Sequence, residues 1–533
     1  MESQYGANKW LITASVMIPT LLEILDTSIA NVALGHIQGS LSAGQDEVTW
    51  VLTSYLVSNA VVIPMSGWLS RVFGRKRYLL ASVAIFTFAS MLCGLAGSLK
   101  TLIIFRIIQG VGGGGLQPIS QAILIETFPP SQRGLSMGIY GMGAVLGPIL
   151  GPLLGGYITD NYTWQWIFFI NIPLGMVAIA MISNFVHDPD YLARFVKSEK
   201  IDYLGLILLT VGLGCLQIVL DKGQREDWME SQFILTMSII SGVSLLSLIV
   251  LELAHENPII NLRIFKDRSF ATGNVVMFFG YFAFFGSIVL LPEFLQTLMG
   301  YTSFLAGVVL GPGGLIMLAT LPLVGKMTGK IDARFLLFLG LGITAFSLVN
   351  MSKFTLDIDL GTAIMARNYQ ALGIAFFFVP LSYLVMAYVP RESMNNASAI
   401  FSLLRNLGGS FGVAFVTTLL ARRTQFHQAR MVEHLSPLNQ NFSAALHKVH
   451  AYLATSPSLG GGAEKMALAA ISQKMQQQAM AMAFFDVFYV LAIIFACLML
   501  VMWIIRKPAH AEEGGKPELR ARHISGNLSD VPR

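Results

Sequence analysis

Glu23 and Asp26 stand inside WLITASVMIPTLLEILDTSIANV, residues 10–32, a stretch otherwise apolar enough to cross a bilayer. A spanning helix needs about twenty such residues, and a charge near its centre costs about 2.5–3.5 kcal/mol on insertion scales. The two acids are three apart, so a helix places them on one face, continued by Ser15, Pro19 and Thr27. A polar stripe in a spanning helix faces a bundle interior or a watery cavity, where an acid can carry a proton. Arg106 sits a few residues from the external end of its own apolar run, and Asp26 in the outer third of its run. At about 1.5 Å per residue the two lie at similar depth. A guanidinium and a carboxylate at one level in lipid lower each other's cost, so Asp26 and Arg106 are expected to be neighbours or linked by polar groups. Arginine cannot titrate, so a proton would sit on the acid, weaken the link and shift the favoured conformation. A permanent structural pair is the alternative reading.

The elements that must position these residues follow from composition. The 533 residues are 54% hydrophobic and 12% charged, with a mean hydropathy of +0.64, against about 45–50% and about 25% for soluble domains. This is an all-α polytopic membrane protein. About fourteen spans fit by length and apolarity, the last two at 397–420 and 480–505. Basic residues cluster in alternate short loops: Arg71, Arg75, Lys76 and Arg77, then Arg133, then Arg194, Lys197 and Lys200, then Arg263, Lys266 and Arg268. By the positive-inside rule these loops and both termini are cytoplasmic. The net charge of +5 is therefore a topology signal and not a nucleic-acid footprint. Cys93, Cys215 and Cys497 offer neither a disulfide framework nor a metal pattern. No nucleotide motif, nucleophile–base set or metal constellation is visible, which argues against an enzyme; no cofactor is expected, and a buried acid is a group through which a proton gradient could act.

Arg106, Gln109 and Gly112 match Arg367, Gln370 and Gly373 at an offset of 261, and the loop at Gly67 matches that at Gly325 at an offset of 258. The chain is thus expected to comprise a six-helix half (1–187), a linker with two inserted spans (188–268), and a second six-helix half (269–507). The second half includes an external loop at 421–479, with ATSPSLGGGAE as a break and AISQKMQQQAMA as a helix leading into the last span, and residues 508–533 form a disordered cytoplasmic tail. Parallel halves place a substrate site near the midplane between them.

Other residues carry specific expectations. Gly143, Gly147, Gly151 and Gly155, with Gly156, form a glycine stripe on the fifth span, and Pro148 and Pro152 allow bending. Such a helix can rock against a neighbour; plain tight packing is the alternative. Arg405 falls in the inner third of its span, and Arg367 and Asp486 in the outer part of theirs, as a candidate second pair. Glu293 ends the ninth span and reads as solvated. His427, His434, His447 and His450 lie in the external loop without metal-ligand spacing.

These residues resemble a known family. The chain looks like a major facilitator transporter, specifically a fourteen-span drug:proton antiporter of the EmrB/QacA type. LDTSIANVAL resembles the first-span signature, with Asp26 in its acidic position. Arg106 with Gln109-Gly110 resembles the fourth-span arginine motif implicated in proton coupling, and Gly143–Gly156 the antiporter motif. WQWIFFINIPLG, from Trp164, is also family-like. Gly67, Gly74, Arg75 and Lys76 fit the cytoplasmic loop motif, but Arg71 stands where Asp is usual, and Glu126 is a candidate substitute. The resemblance implies a major facilitator fold and export of hydrophobic or amphipathic compounds by alternating access. It also implies a bacterial inner-membrane location, a small-molecule substrate in contact with lipid, and a periplasmic adaptor and outer-membrane channel as partners. An exporter of one metabolite (a fatty acid, bile salt or siderophore) and a non-transporting receptor or scaffold are the competing readings.

Overall fold

The computed structural model describes residues 8–188, 202–255, 258–436, 439–454 and 463–506. The tail 508–533, the basic residues Arg194, Lys197 and Lys200, and residues 455–462 lie outside them. The described residues form helices and short 3-10 turns, with no strand among them.

The first half runs α1 (Lys9–Ser40), α2 (Gln45–Val48), α3 (Trp50–Phe73), α4 (Arg75–Gly94), α5 (Leu99–Gly113), α6 (Leu116–Thr127), α7 (Arg133–Asn161), α8 (Trp166–Phe169) and α9 (Asn171–Phe185). The inserted pair is α10 (Tyr203–Lys222) and α11 (Gln232–Ala254). The second half is α12 (Arg268–Thr297), α13 (Ser303–Thr328), α14 (Ala333–Met351), α15 (Leu360–Met386), α16 (Met394–Val432), α17 (Gln440–Ala454) and α18 (Ala463–Val501). Thirteen helical stretches, with α5–α6 counted as one, are long and apolar enough to span a membrane. The 29-residue α7 occupies the fifth position.

The segment 421–479 differs from the expected loop. α16 continues to Val432, past the expected end of its span, while the helix expected at AISQKMQQQAMA is present as the first part of α18, which begins at Ala463. The sequences ARRTQFHQARMV and EKMALAAISQKMQQQA hold strong helix formers and neither Gly nor Pro, so each helix propagates past the apolar boundary. With α17 they make a helical projection.

The halves meet most tightly at the end that bears the basic loops. On α7 and α13, the Gly134 and Gly325 backbones touch so closely that a Cβ on either would lie 2.6 Å from the other's carbonyl oxygen. On α3 and α16, a Cβ on Gly67 would sit 3.0 Å from the Asn396 Cα, and Asn395 Nδ2 donates to Ser70 Oγ at 2.9 Å. Gly67, assigned to the loop motif, is therefore inside a helix, where it admits the opposite half. Toward the other end α13 is open: Gly307 and Gly311 meet nothing within 4 Å. There the inserted pair bridges the halves. Lys222 Nζ donates to Thr49 Oγ1 at 2.5 Å, Gln217 Nε2 to Ser410 Oγ at 3.0 Å, and Trp228 Nε1 to Thr418 Oγ1 at 3.1 Å.

Candidate functional site: a buried carboxylate cluster in the first half

Asn8 caps the start of α1, accepting from the Trp10 amide, and the helix then runs without interruption past Pro19. Asp26 is 2% exposed and points into the first half, not into the space between the halves. Its Oδ2 accepts from Arg106 Nη1 at 2.6 Å. Its Oδ1 accepts from Gln109 Nε2 and from Asn171 Nδ2, both at 2.8 Å. Arg106 is fully buried. It is held by its Nε on the Val51 carbonyl at 3.1 Å, by Nη1 on Gln109 Oε1 at 2.7 Å, and by the Tyr55 ring at 4.3 Å. Three donors on one carboxylate, one of them a cation, are charge-assisted bonds of the strong kind, and the low-dielectric surroundings raise the stakes of each. The depth argument placed Asp26 beside Arg106, and the two are in direct contact.

Asn171 escaped the sequence reading. It is the first residue of α9, just past the break at Ile170, and is fully buried. Besides Asp26 it donates to Ser90 Oγ at 2.9 Å, and Ser90 Oγ donates to the Phe168 carbonyl at 2.9 Å. Its signal was an amide set deep among apolar residues, in WIFFINIPLG.

Glu23 shares the helix face of Asp26 but has different partners. Its Oε1 accepts from Asn59 Nδ2 at 2.9 Å, and its Oε2 is buried with no hydrogen-bond partner. Nearby, Arg405 reaches across from α16 to donate to Gln117 Oε1 of α6 and to the Tyr140 hydroxyl of α7 at 3.3 Å. No carboxylate among the described residues lies within ion-pair distance of Arg405. Tyr140 stacks on Phe378 at 6.3 Å, and Tyr281 adjoins Phe378 at 6.2 Å. An aromatic wall from the second half thus stands beside this cation.

The glycine stripe of α7 seats the helix that carries both acids. A Cβ on Gly147 would collide with Ile24, one on Gly151 with Ser28, and one on Gly143 with the end of Met17. Gly155 is in ordinary contact with Ile29 and Val32, and Gly156 meets nothing within 4 Å, so Gly156 takes no part in the seam. The side chains of Pro148 and Pro152 lie outside the described residues.

Among the loop-motif residues, Gly74 has φ +83°, a left-handed conformation that glycine adopts freely and that lets α4 restart at once. Asp188 Oδ1 accepts from the Lys76 amide at 2.8 Å, and Lys76 Nζ donates to the Ser183 carbonyl at 2.6 Å. Arg75 makes a two-pronged bond to Glu126, at 2.9 and 3.1 Å. Glu126 thus supplies a buried carboxylate to this corner, while Arg71 donates to the Pro258 carbonyl at 3.2 Å.

The expected Arg367–Asp486 pair does not form. Arg367 donates to Gln370 Oε1, and Gln370 Nε2 donates to Ser287 Oγ at 2.7 Å. Asp486 instead binds Arg423 at 2.5 Å and His427 Nε2 at 2.7 Å, at the base of the helical projection. Similar depth along two spans says nothing of which way each helix faces. The residues Arg367, Gln370 and Ser287 sit at the repeat offset from Arg106, Gln109 and Asp26, since 287 − 26 = 261. The second half therefore repeats the arginine–glutamine latch with a serine where the first half has its acid. Glu293 is half-buried and not fully solvated as expected.

This geometry, two repeated helical halves of membrane-spanning length with a buried arginine–carboxylate cluster in one, is that of a membrane transporter. The family model for the Major Facilitator Superfamily matches residues 16–413, and the chain belongs to that family. It is 37% identical over 510 residues to the fatty acid resistance protein FarB of Neisseria gonorrhoeae, covering 96% of this chain and 98% of that one. It is 35% identical over 513 residues to the multidrug export protein EmrB of Escherichia coli K12, with the same coverage. Among solved structures, the proton:xylose symporter XylE aligns over 93% of this chain and 95% of its own, with a TM-score of 0.60 at 15% identity. The human organic anion transporter MFSD10 aligns over 93% of this chain and 100% of its own, with a TM-score of 0.60 at 14% identity. These two likenesses concern the fold.

Proposed function

We propose that this chain is a proton-coupled exporter of hydrophobic and amphipathic compounds, a multidrug efflux transporter working by alternating access. The observation that carries the proposal is the Asp26 carboxylate, buried and bonded to Arg106, Gln109 and Asn171. A proton arriving on Asp26 removes the charge that Arg106 compensates. The cluster must then rearrange, and α1 moves against the glycine seam of α7. Each elementary charge crossing 100 mV gains about 2.3 kcal/mol, and each pH unit adds about 1.36 kcal/mol, enough to drive cargo outward without ATP. Arg106 acts as counter-charge and Glu23 as a second acid nearer the space between the halves. The second half, whose latch holds Ser287, contributes Arg367 and Gln370 as a fixed frame and Arg405 as a cation at the interface. Asp486, bound to Arg423 and His427, anchors the projection.

The basic loops support a cytoplasmic position for both termini, in a cell whose inner membrane holds the chain. Likeness to EmrB supports a periplasmic adaptor and an outer-membrane channel as partners, with the α16–α18 projection as the part that extends toward them. The likeness to FarB favours a second reading of the cargo, amphipathic carboxylates, which the lone cation Arg405 beside an aromatic wall would suit. The test is efflux from everted vesicles with an imposed pH gradient. Substrate-dependent proton movement is expected, and its absence for every compound that binds would leave a receptor or scaffold instead.

A further inference from the structure

Asn171 holds the carboxylate form of Asp26 with both hydrogens of its amide engaged, one on Asp26 Oδ1 and one on Ser90 Oγ. Its own carbonyl oxygen, Oδ1, is buried and has no hydrogen-bond partner. A buried acceptor left unmade costs about 1–3 kcal/mol, so this orientation persists only because the charged carboxylate demands donors. A proton on Asp26 reverses the demand: the new hydroxyl needs an acceptor, and the donor facing it becomes the wrong group. The other oxygen, Oδ2, stays with Arg106, and Gln109 Oε1 already accepts from Arg106 Nη1 and from Cys93 Sγ at 3.5 Å. Of the three residues bonded to Asp26, only Asn171, through its Oδ1, keeps an idle acceptor.

We infer that Asn171 is a positioning residue that reads the proton on Asp26 by turning its carboxamide over. In the turned state Asp26 O–H donates to Asn171 Oδ1. The Ser90 hydroxyl, a free rotor, swings from the Phe168 carbonyl to the same oxygen. The turned state leaves the amide NH2 unpaired and releases the Phe168 carbonyl, so it is reached only when a proton on Asp26 supplies the new O–H bond and removes the charge that holds the donors. The bonds that change join α1 to α9, α9 to α4 and α4 to α8, around the break at Ile170, which is how the state of one acid reaches the sixth span. The titratable groups around Asp26 among the described residues are Glu23 on α1 itself, Tyr55 on α3, Cys93 on α4 and Arg106 on α5. α9 offers Asn171, which is neutral, and α7 offers its glycine seam.

This inference rests on the proposed proton role of Asp26, and the experiment separates the two. Acid-induced infrared difference spectra are recorded on the full chain in lipid, for wild type, Asp26→Asn, Asn171→Leu and Asn171→Gln. A protonated-carboxyl band present in wild type and absent in D26N supports the role of Asp26, and its persistence in D26N sinks that role whatever Asn171 does. With the band assigned, N171L is expected to move it to higher frequency, because the hydroxyl loses its acceptor, and N171Q to return it toward wild type. An unmoved band in folded N171L overturns the inference. If N171L does not fold, wild type carrying asparagine labelled at the side-chain carbonyl gives the answer. An amide carbonyl band must shift together with the carboxyl band, and a stationary amide overturns the inference.

Discussion

Alanine at Gly147 tests whether the α1–α7 seam is a moving part. An added Cβ there would collide with the Ile24 side chain and would lie 3.1 Å from the Ile24 carbonyl carbon. Carbon atoms pack best at about 3.5–4.0 Å, so α1 must withdraw by roughly 0.5 Å or more along this stretch. A flexible tip could swing away, but a backbone atom cannot, so the strain falls on the helix. Overpacking of this kind costs about 1–3 kcal/mol. Ile24 lies between Glu23 and Asp26, and the withdrawal loads the 2.6 Å bond to Arg106 directly. At about 1.4 kcal/mol per factor of ten, gradient-driven export in proteoliposomes should fall about tenfold, with a lowered unfolding temperature in detergent. Gly156→Ala is the internal control: it lies on the same helix in the same motif, yet nothing stands within 4 Å of its Cβ position. Its export and its stability should match wild type. If G147A exports normally, or if G156A is equally damaged, the seam is not where the two helices bear on each other and the reasoning fails.

Other outcomes follow from the same contacts. Asp26→Asn should abolish proton-driven export while leaving the chain inserted, and wild-type efflux from that variant would refute the proton role. Glu126→Ala withdraws the carboxylate from the buried Arg75 guanidinium, whose side chain is 1% exposed. Breaking a buried pair in this way costs about 3–5 kcal/mol, so E126A should unfold at a clearly lower temperature, with Glu126→Gln intermediate. Ser287→Asp places an acid at the repeat-equivalent of position 26, beside Gln370. A second acid-induced carboxyl band is expected in that variant, and its absence would show that the two latches are not equivalent in space. Asp486→Asn should loosen the projection by weakening its bonds to Arg423 and His427 and leave export by the isolated transporter intact. Protease sensitivity of the 421–479 segment measures this.

Much of the site was legible because charge in lipid is rare and therefore informative. Asp26 and Arg106 were readable from depth alone, and the 261-residue offset led to the second latch. The Arg367–Asp486 pairing failed because depth fixes one coordinate of a side chain and helix rotation fixes another. Asn171 was missed because a neutral amide 145 residues from Asp26 carries no charge signal. Glu126 was only a candidate, since nothing in its spacing shows that α6 ends beside the start of α4. Within 421–479 the helix at AISQKMQQQAMA, leading into the last span, was legible; the extension of α16 past 420 was not, because apolarity stops there whereas helix propensity does not.

The sequence by itself determined the membrane-spanning helices, the two-half repeat and the presence of buried acids. These depend on composition and spacing, and lipid tolerates few alternatives for a chain with this pattern. Only the tertiary structure decided which partner each buried group has. It put Asp26 inside one half and Arg405 between the two, gave Ser287 the place of an acid, and turned α7's glycines toward α1. Those outcomes depend on how helices rotate and cross, and that is settled by the packing of side chains against distant neighbours.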